Sequence, residues 1–522
     1  MVVLPVNENI VCFYTYEEKE ALIQRWISLP VASSPRFGSN AILDPLSLPR
    51  YVRFNIDALC SIAAQSVGSA SRTDVTKLSE GNFNKALLLT MNDGKEVIAK
   101  ITNPNAGSPQ FITASEVAVM DFECPTYPSP EVFSWCSEGR QSPVGAEYII
   151  MQKVPGEKLS CYWDDITTLD RSKIVDQLVQ CDKSLVENPF PQYGSLYYHE
   201  DEAGSDRFMV GPTMNRKYFD DKRVLLNLDR GPWTLLKEYL VANATREKES
   251  ILQLGDSPRL QGLFKGPRQY QPSRTAKLQA INSYTNIMRH LLPKNKADHR
   301  PVLWHPDLHG DNIFVDPKDP TQITGIIDWQ AAHIAPLFLQ ARRPAILDVN
   351  GPLPQSLKLP TLPEDFHTLS SEEQVQDKKL HAEQMIYAYH EIELLRQSKD
   401  AGNALRGRET LLARISALVG SLFHDGEPIV LGLLMQVVDR WVEIVGSDDK
   451  GEPLVKCPIS FTEEEKNSSE RTAGYDGFVA HGEYDSMRQA VIDLRERLLA
   501  EVAETQDERE AWEKAWPFPV SV

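Results

Sequence analysis

The chain has 522 residues, and its 55 Lys and Arg against 73 Asp and Glu leave a formal net charge of -18. That length leaves room for about two to four domains and a large buried core; the acidic balance argues against broad, sequence-independent binding to nucleic acid or anionic membrane surfaces, which need concentrated positive charge. Seven cysteines, at 12, 60, 124, 136, 161, 181 and 457, lack CxxC spacing and are odd in number, which speaks against a disulfide framework or zinc site and for a reducing compartment.

The opening stretch, MVVLPVNENIVCFYTYEEKEA, lacks the apolar core of a secretory signal and carries Glu8, Glu17, Glu18 and Glu20 before Arg25, a poor match to a mitochondrial transit segment. No apolar run approaches the roughly 18 residues of a spanning helix; even Ile429 to Val438 is interrupted by Gln436 and stopped by Asp439. Residues 1–74 mix short helical patches with turn formers such as Ser33-Ser34-Pro35, and are expected to form an extension packed on the strands C-terminal to them. Strands are expected at Val75 to Leu78, Ala86 to Met91 and Glu96 to Ile101, with Asn92-Asp93-Gly94 as a hairpin turn. A helix from about Thr113 to Phe122 comes next, then strands near Glu131 to Trp135 and Ala146 to Gln152.

After Pro155-Gly156 the pattern turns helical, with amphipathic runs near Leu169 to Val186, Thr234 to Leu252 and Ala276 to Leu292. Gly194 to His199 reads as a strand or hairpin, and Gly255 to Pro272 as an exposed connection. Gly351 to Pro363 is a Pro-rich linker. Helices near Glu372 to Gln397, Thr410 to Phe423, Ile429 to Val445 and Tyr484 to Trp516 then form a cap or tail. No internal repeat is present.

The chemistry concentrates in VLWHPDLHGDNIFVDPKDPTQITGIIDWQ, from Val302 to Gln330. Asp307 and Asn312 share one tight polar loop between apolar Val302 to Trp304 and Ile313 to Val315. Asp328 closes the run Ile323 to Ile327, after a turn-prone segment Asp316 to Gln322. Magnesium-assisted phosphoryl transfer asks for these parts: one carboxylate facing an incoming hydroxyl, and an amide plus a second carboxylate holding the metal. His305 is read as a packed ring bonding the backbone near Asp328, His309 as a second loop-shaping histidine, and Asp311 and Asp316 as turn carboxylates.

Upstream, Ser79-Glu80-Gly81-Asn82-Phe83-Asn84-Lys85 joins the first two strands. Its backbone around Gly81 could approach phosphate oxygens, with Asn82 or Asn84 donating from side chains; the alternative is an ordinary hairpin loop. Lys100 lies in the mostly apolar strand Val97 to Ile101, where an inward ammonium would need an anion; the alternative is a lysine facing water. Glu116 is suited to pair with Lys100. It also fits a capping box, Thr113-Ala114-Ser115-Glu116, with Ile112 and Val117 as the hydrophobic staple.

With these motifs in order, the chain resembles the aminoglycoside phosphotransferase family of the protein-kinase-like fold, most closely the fungal kinase-like proteins named for altered inheritance of mitochondria. The resemblance runs from about Arg53 to Gly351 through LSEGNFNKALLLTMNDGKEVIAKI, SEVAVMDF, PVGAEYIIMQKVPGEKL, GSLYY, RGPW, HPDLHGDNIFVD, GIIDWQ and APLFLQARRPA. It implies an α+β, bilobal fold with a small antiparallel-sheet lobe of five strands and one helix at 75–153 and a larger, mainly helical lobe at 154–350. The latter carries an insertion at about 185–272 and a catalytic loop at 305–312. An N-terminal extension, 1–74, and extra C-terminal helices, 351–522, complete the chain.

The resemblance further implies ATP in the interlobe cleft, under the loop of Gly81 and Asn82, with adenine against a hinge at Met151 to Pro155 that includes Lys153. Lys100 would contact the phosphates, Glu116 orient it, Asp307 act as base, and Asn312 and Asp328 bind Mg2+. Three departures bear on the substrate: Trp329-Gln330 where protein kinases carry Phe-Gly, a single glycine in the phosphate loop, and only Ala335-Pro336-Leu337-Phe338-Leu339 where an activation segment would lie. They favour a small-molecule hydroxyl over a protein acceptor. The alternative is a pseudokinase or nucleotide-binding scaffold, its C-terminal helices docking a protein partner. No nucleic-acid partner or membrane insertion is expected. Composition and the N-terminus favour the cytosol, the resemblance the mitochondrion.

Overall fold

The structure is a computed structural model that describes residues 2–5, 11–14, 52–78, 81, 83–122, 128–199, 207–255, 272–349, 351–354, 357, 359–363, 365–424, 426–466 and 509. The expected helix Tyr484 to Trp516 lies outside the described residues apart from Arg509; Asn82, the turn Ser33-Ser34-Pro35 and residues 256–271 of the expected connection also lie outside them. The chain divides into two compact units, Met1–Asp220 with Arg230–Thr234 and Lys296–Gly407, and Asp221–Asp229 with Leu235–Asn295 and Arg408–Val522.

In the first unit, strands β1 (Val2–Pro5) and β2 (Val11–Tyr14) pair with each other. A five-stranded antiparallel sheet is made of β3 (Arg72–Lys77), β4 (Asn84–Met91), β5 (Glu96–Thr102), β6 (Val132–Cys136) and β7 (Tyr148–Gln152) in the order β3-β4-β5-β7-β6. Alternation along β4 and β5 sends Leu87, Leu89, Met91, Val97, Ala99 and Ile101 to one face. The hairpin between them turns at Gly94, whose φ of 85° favours glycine. That apolar face is covered by α1 (Ile56–Ser66), which inserts Ile56, Leu59, Cys60, Ala63 and Ala64. The spacing is i, i+3, i+4, i+7, i+8, one helical stripe, and Asn55 caps it by accepting the N–H groups of Asp57 and Ala58 at 3.1 Å. The small lobe's core thus includes a helix from the stretch read as short patches.

The opposite face carries Lys100, which pairs across the ladders with Ala86 and Ile149. Here packs α2 (Phe111–Asp121), with Val117, Ala118, Val119 and Met120 in the core. The helix begins two residues before the expected Thr113 and has no side-chain cap. Thr113 is instead buried inside it, donating to Glu147 Oε2 at 2.6 Å, so the capping-box reading of Glu116 fails.

The larger lobe of this unit combines short strands β8 (Glu157–Lys158), β9 (Ser195–Tyr198), β10 (Phe208–Gly211), β11 (Pro301–Trp304), β12 (Ile313–Asp316), β13 (Asp319–Ile326) and β14 (His333–Pro336) with α3 (Thr168–Glu187). β12 lies between β13 and β8, and β11 pairs with β14. The β12–β13 turn is tighter than the expected segment Asp316 to Gln322. Asp316 closes it by accepting the Lys318 N–H at 2.9 Å, and β13 resumes at Asp319. Packing also continues past residue 350. Val175 and Val179 of α3 share a core with Ile386 and Leu394 of a long helix, Ser371–Gln397, and with Ala401 and Leu405 of the next, Lys399–Gly407. The expected boundary at 350/351 is therefore not a break in the core.

The second unit is helical where described: Leu236–Gln253, Arg274–Leu291, Leu411–Val419, Glu427–Asp439 and Trp441–Val445. The expected single helix Ile429 to Val445 is two, interrupted at Arg440. Its core holds charge as well as Leu240, Ile281, Ile415 and Leu434: Glu247 is fully buried and accepts from Arg246 Nε at 2.8 Å, Arg223 Nη2 at 3.4 Å and the Phe423 N–H at 2.7 Å.

Candidate active site

Lys100 is placed by the ladder. Its side chain leaves the sheet on the face opposite the small lobe's apolar core, where only a partner could compensate a buried ammonium. Two carboxylates do so: Nζ donates to Glu116 Oε1 at 2.6 Å and to Asp328 Oδ1 at 2.8 Å. Lys100 and Glu116 are buried, with side chains 7% and 1% exposed, whereas Asp328 is 45% exposed. Burial alone would depress the Lys100 ammonium, but Asp328 and Glu116 reverse this and raise it above its ordinary range. Lys100 in turn holds the Asp328 carboxyl below the usual carboxylate range.

Asp307 lies in the loop between β11 and β12. The loop is shaped by His305: its Nδ1 accepts the Asp307 N–H at 3.2 Å, so the proton sits on Nε2, which donates to Ile327 O at 2.9 Å. The ring meets Trp329 edge-on at 4.6 Å. Burial pushes this imidazole down to about 4, so it is neutral at pH 7. His309 caps the next turn, accepting the Asp311 N–H at 3.2 Å. Asp311 is held by the Ser160 hydroxyl. Gly310 permits this closeness, since a Cβ there would lie 3.2 Å from Ser160 N and 2.7 Å from Ile346 Cδ1.

Asn312 ties the parts together. Its Nδ2 donates to Asp307 O at 2.9 Å, its own carbonyl accepts the Ile327 N–H at 2.9 Å, and its Oδ1 is left without a donor among the described residues. Lys100, Glu116, Asp328, Asn312 and Asp307 therefore form one series of direct or adjacent contacts. The Asp307 side chain is 76% exposed, and His309 Nε2 lies 3.8 Å from its Oδ2.

Met151 sits on the Lys100 face two ladder positions along, opposite Ile98. Lys153 lies beyond the last ladder pair, Val97 with Gln152, and its ammonium is engaged by Glu96 at 2.6 Å. What it can offer a ligand is its backbone. Gly81 has no left-handed φ, and a Cβ there would meet only Asn84 O at 4.0 Å; the chain's own packing gives no reason for glycine. Asn82 lies outside the described residues. Sequence reasoning missed Arg342, whose Nη2 holds the carbonyls of His305 and Pro306 at 2.8 and 2.6 Å. It also missed the pairing of Asn84 with Gln330. Arg342 stands within the motif APLFLQARRPA, and Gln330 is one of the departures from the protein kinases.

Residues 74–339 match the phosphotransferase enzyme family. A subtelomeric hrmA-associated cluster protein of Aspergillus fumigatus is 30% identical over 436 residues, covering 76% of this chain and 83% of its own. The chain belongs to the phosphotransferase enzyme family. Among its relatives is the altered inheritance of mitochondria protein 9 of Lachancea thermotolerans, described as mitochondrial, at 26% identity over 58% of this chain and 54% of that one. A solved structure, the aminoglycoside phosphotransferase APH(4)-Ia, aligns at 13% identity over 82% of this chain and all of that one, with a TM-score of 0.38. This phosphotransferase-family chain has the expected α+β composition, and no described helix is long and apolar enough to cross a membrane.

Proposed function

We propose that the chain transfers the γ-phosphate of Mg-ATP to a hydroxyl of a small molecule. The observation that carries this reading is an excess of carboxylate: Glu116 and Asp328 both stand against Lys100, Asp307 adjoins them through Asn312, and the side chains of Asp328 and Asp307 are exposed. Exposed carboxylates in excess of a single buried ammonium suit a divalent cation bearing phosphates. The donors fit Mg2+, which prefers oxygen and takes one or two protein ligands with waters and phosphate oxygens completing its shell. Asp328 and Asn312 Oδ1 supply two such oxygens, and no described group of three or more His, Cys, Asp or Glu forms an all-protein cage. Gly81, which the chain itself does not require, leaves room for phosphate oxygens against its backbone. When bound, the metal would neutralise charge on the phosphates.

In this reading Lys100, steadied by Glu116, attracts the phosphates, and the hinge backbone at Met151 and Lys153 meets the adenine. Asp307 Oδ orients the acceptor hydroxyl and takes its proton as the new O–P bond forms and the bond from the γ-phosphorus to the β-phosphate breaks. Its exposure leaves space for an acceptor. The short chain after Asp328, entering β14 at His333, offers no activation segment and favours a small acceptor over a protein.

The scaffold reading draws on a different observation: the Lys100 ammonium is satisfied by two carboxylates of the chain itself, Glu116 and Asp328. Purified protein incubated with γ-labelled Mg-ATP and a metabolite extract separates the two. Label transfer to a small molecule, lowered in Asp307→Asn by a factor on the order of 10² to 10⁴ with Mg-ATP binding unchanged, supports the kinase. Binding without transfer supports the scaffold. For location, the relative described as mitochondrial makes that organelle a compartment to test by fractionation.

A further inference from the structure

The segment that presents the Asp328 carboxylate is held in an unusual backbone. Asp328 and Ala331 have φ of 65° and 63°, the left-handed region that side chains disfavour. Such a conformation persists only where its surroundings over-determine it. Three contacts do so: Lys100 on Asp328, His305 against the ring of Trp329, and, across the cleft, Asn84 on Gln330.

The last is a reciprocal amide pair. Asn84 Nδ2 donates to Gln330 Oε1 at 3.0 Å, and Gln330 Nε2 donates to Asn84 Oδ1 at 2.9 Å, with Gln330 only 8% exposed. Asn84 opens β4 at the C-terminal end of the phosphate loop, so the pair ties that loop's base to the segment that presents Asp328. The preceding residue is fixed as well. Phe83 O accepts the Asn103 N–H at 2.8 Å, and the Phe83 ring lies under the Arg216 guanidinium, 3.4 Å from its centroid. Arg216 is itself held by Asp220, with Nη2 3.0 Å from Oδ1. Only two amides can make the double bond: a carboxylate at either position would accept and could not donate.

We propose that Asn84 and Gln330 form a clasp that fixes the start of β4 relative to the segment presenting Asp328 and thereby sets the affinity for a magnesium nucleotide. The clasp rests on the proposed nucleotide-binding role of the cleft. Asn84 is on this account a positioning residue rather than a phosphate donor. Because both partners are neutral, removing the clasp shifts positions and leaves the charge of the cleft unchanged.

The test is a double-mutant cycle on the full chain, Asn84→Ala, Gln330→Ala and both together, read by calorimetric titration with Mg-ATP and by melting temperature without ligand. Each single change weakens Mg-ATP binding about fivefold to tenfold, as expected for two hydrogen bonds between neutral groups, and the double variant is no weaker than the poorer single. Gln330→Glu also weakens binding, and the exchange variant Asn84→Gln with Gln330→Asn recovers most of the affinity. Affinities equal to the parent's, or losses that simply add, overturn the clasp, as does a fall in melting temperature with affinity intact. A parent chain that binds no Mg-ATP overturns the nucleotide reading itself, which a failed cycle on a binding parent does not.

Discussion

Each unit buries an ionic cluster, and the two are built to opposite ends. In the helical unit Arg223 and Arg246 face Glu247, with Asp221 3.8 Å from Arg223, and the side chains are 4% exposed or less. Two cations meet two anions in a closed volume. The first unit sets two carboxylates, Glu116 and Asp328, against one ammonium, leaves Asp328 and the adjoining Asp307 open to solvent, and turns its nearby guanidinium, Arg342, toward backbone carbonyls. A cluster that balances and seals itself has finished its work when the chain folds. One that stays open and unbalanced points to a ligand that completes it.

The sharpest way to break this comparison is to remove the central anion of the sealed cluster. Glu247→Gln removes the carboxylate that the two buried guanidiniums share, leaving only Asp221 at 3.8 Å from Arg223, and is expected to cost about 3–5 kcal/mol of stability, measured by urea denaturation. Protein that remains folded should bind Mg-ATP as the parent does. A stability loss under about 1 kcal/mol would mean the cluster is wetter than its burial implies.

A smaller effect, about 3 kcal/mol, comes from acid. His305 is buried neutral with its folded value near 4 against an unfolded value of about 6.5. The unfolded chain therefore binds the extra proton first, and the contribution of His305 is complete above pH 6.5 and lost as pH falls toward 4. Between pH 7 and 4 the parent should lose about 3 kcal/mol more than His305→Asn; parallel stability curves would contradict the neutral, Nε2-protonated ring. The depressed carboxyl of Asp328 adds to the loss at lower pH, because its ionised form is the one the fold favours.

The smallest effect is at the hinge. Lys153 and Glu96 are an exposed pair worth about 1 kcal/mol or less. Lys153→Ala should leave Mg-ATP affinity within about twofold, since the ammonium is turned to Glu96 and the backbone remains. A tenfold loss in titration would show that the side chain itself meets the nucleotide.

Much of the site was legible because its chemistry conflicts with its setting. Lys100 sits in an apolar strand, and Asp307, Asn312 and Asp328 punctuate apolar runs; residues that are costly to bury draw attention wherever they occur. Even the structural reading of His305 bonding near Asp328 is met, by the contact with Ile327 O. Glu116 had two readings because a capping box and an ion pair use the same residue types. Burial of Thr113 decides between them, and burial is a tertiary fact. The helix Ile56–Ser66 carried a full apolar stripe, yet a neighbourhood of turn formers obscured it. β8, β10 and β14 are two to four residues long, too short for a period to show. The amide pair joins residues 246 apart, and no local pattern encodes such a contact.

The central claim is that the open carboxylates of the cleft are completed by a magnesium nucleotide. Titrating the parent and Asp328→Ala with ATP, in Mg2+ and in excess chelator, addresses it directly. The account predicts binding by the parent in Mg2+ alone and a loss of at least about tenfold in Asp328→Ala. Binding of equal strength with and without the metal, or indifferent to Asp328, would contradict it.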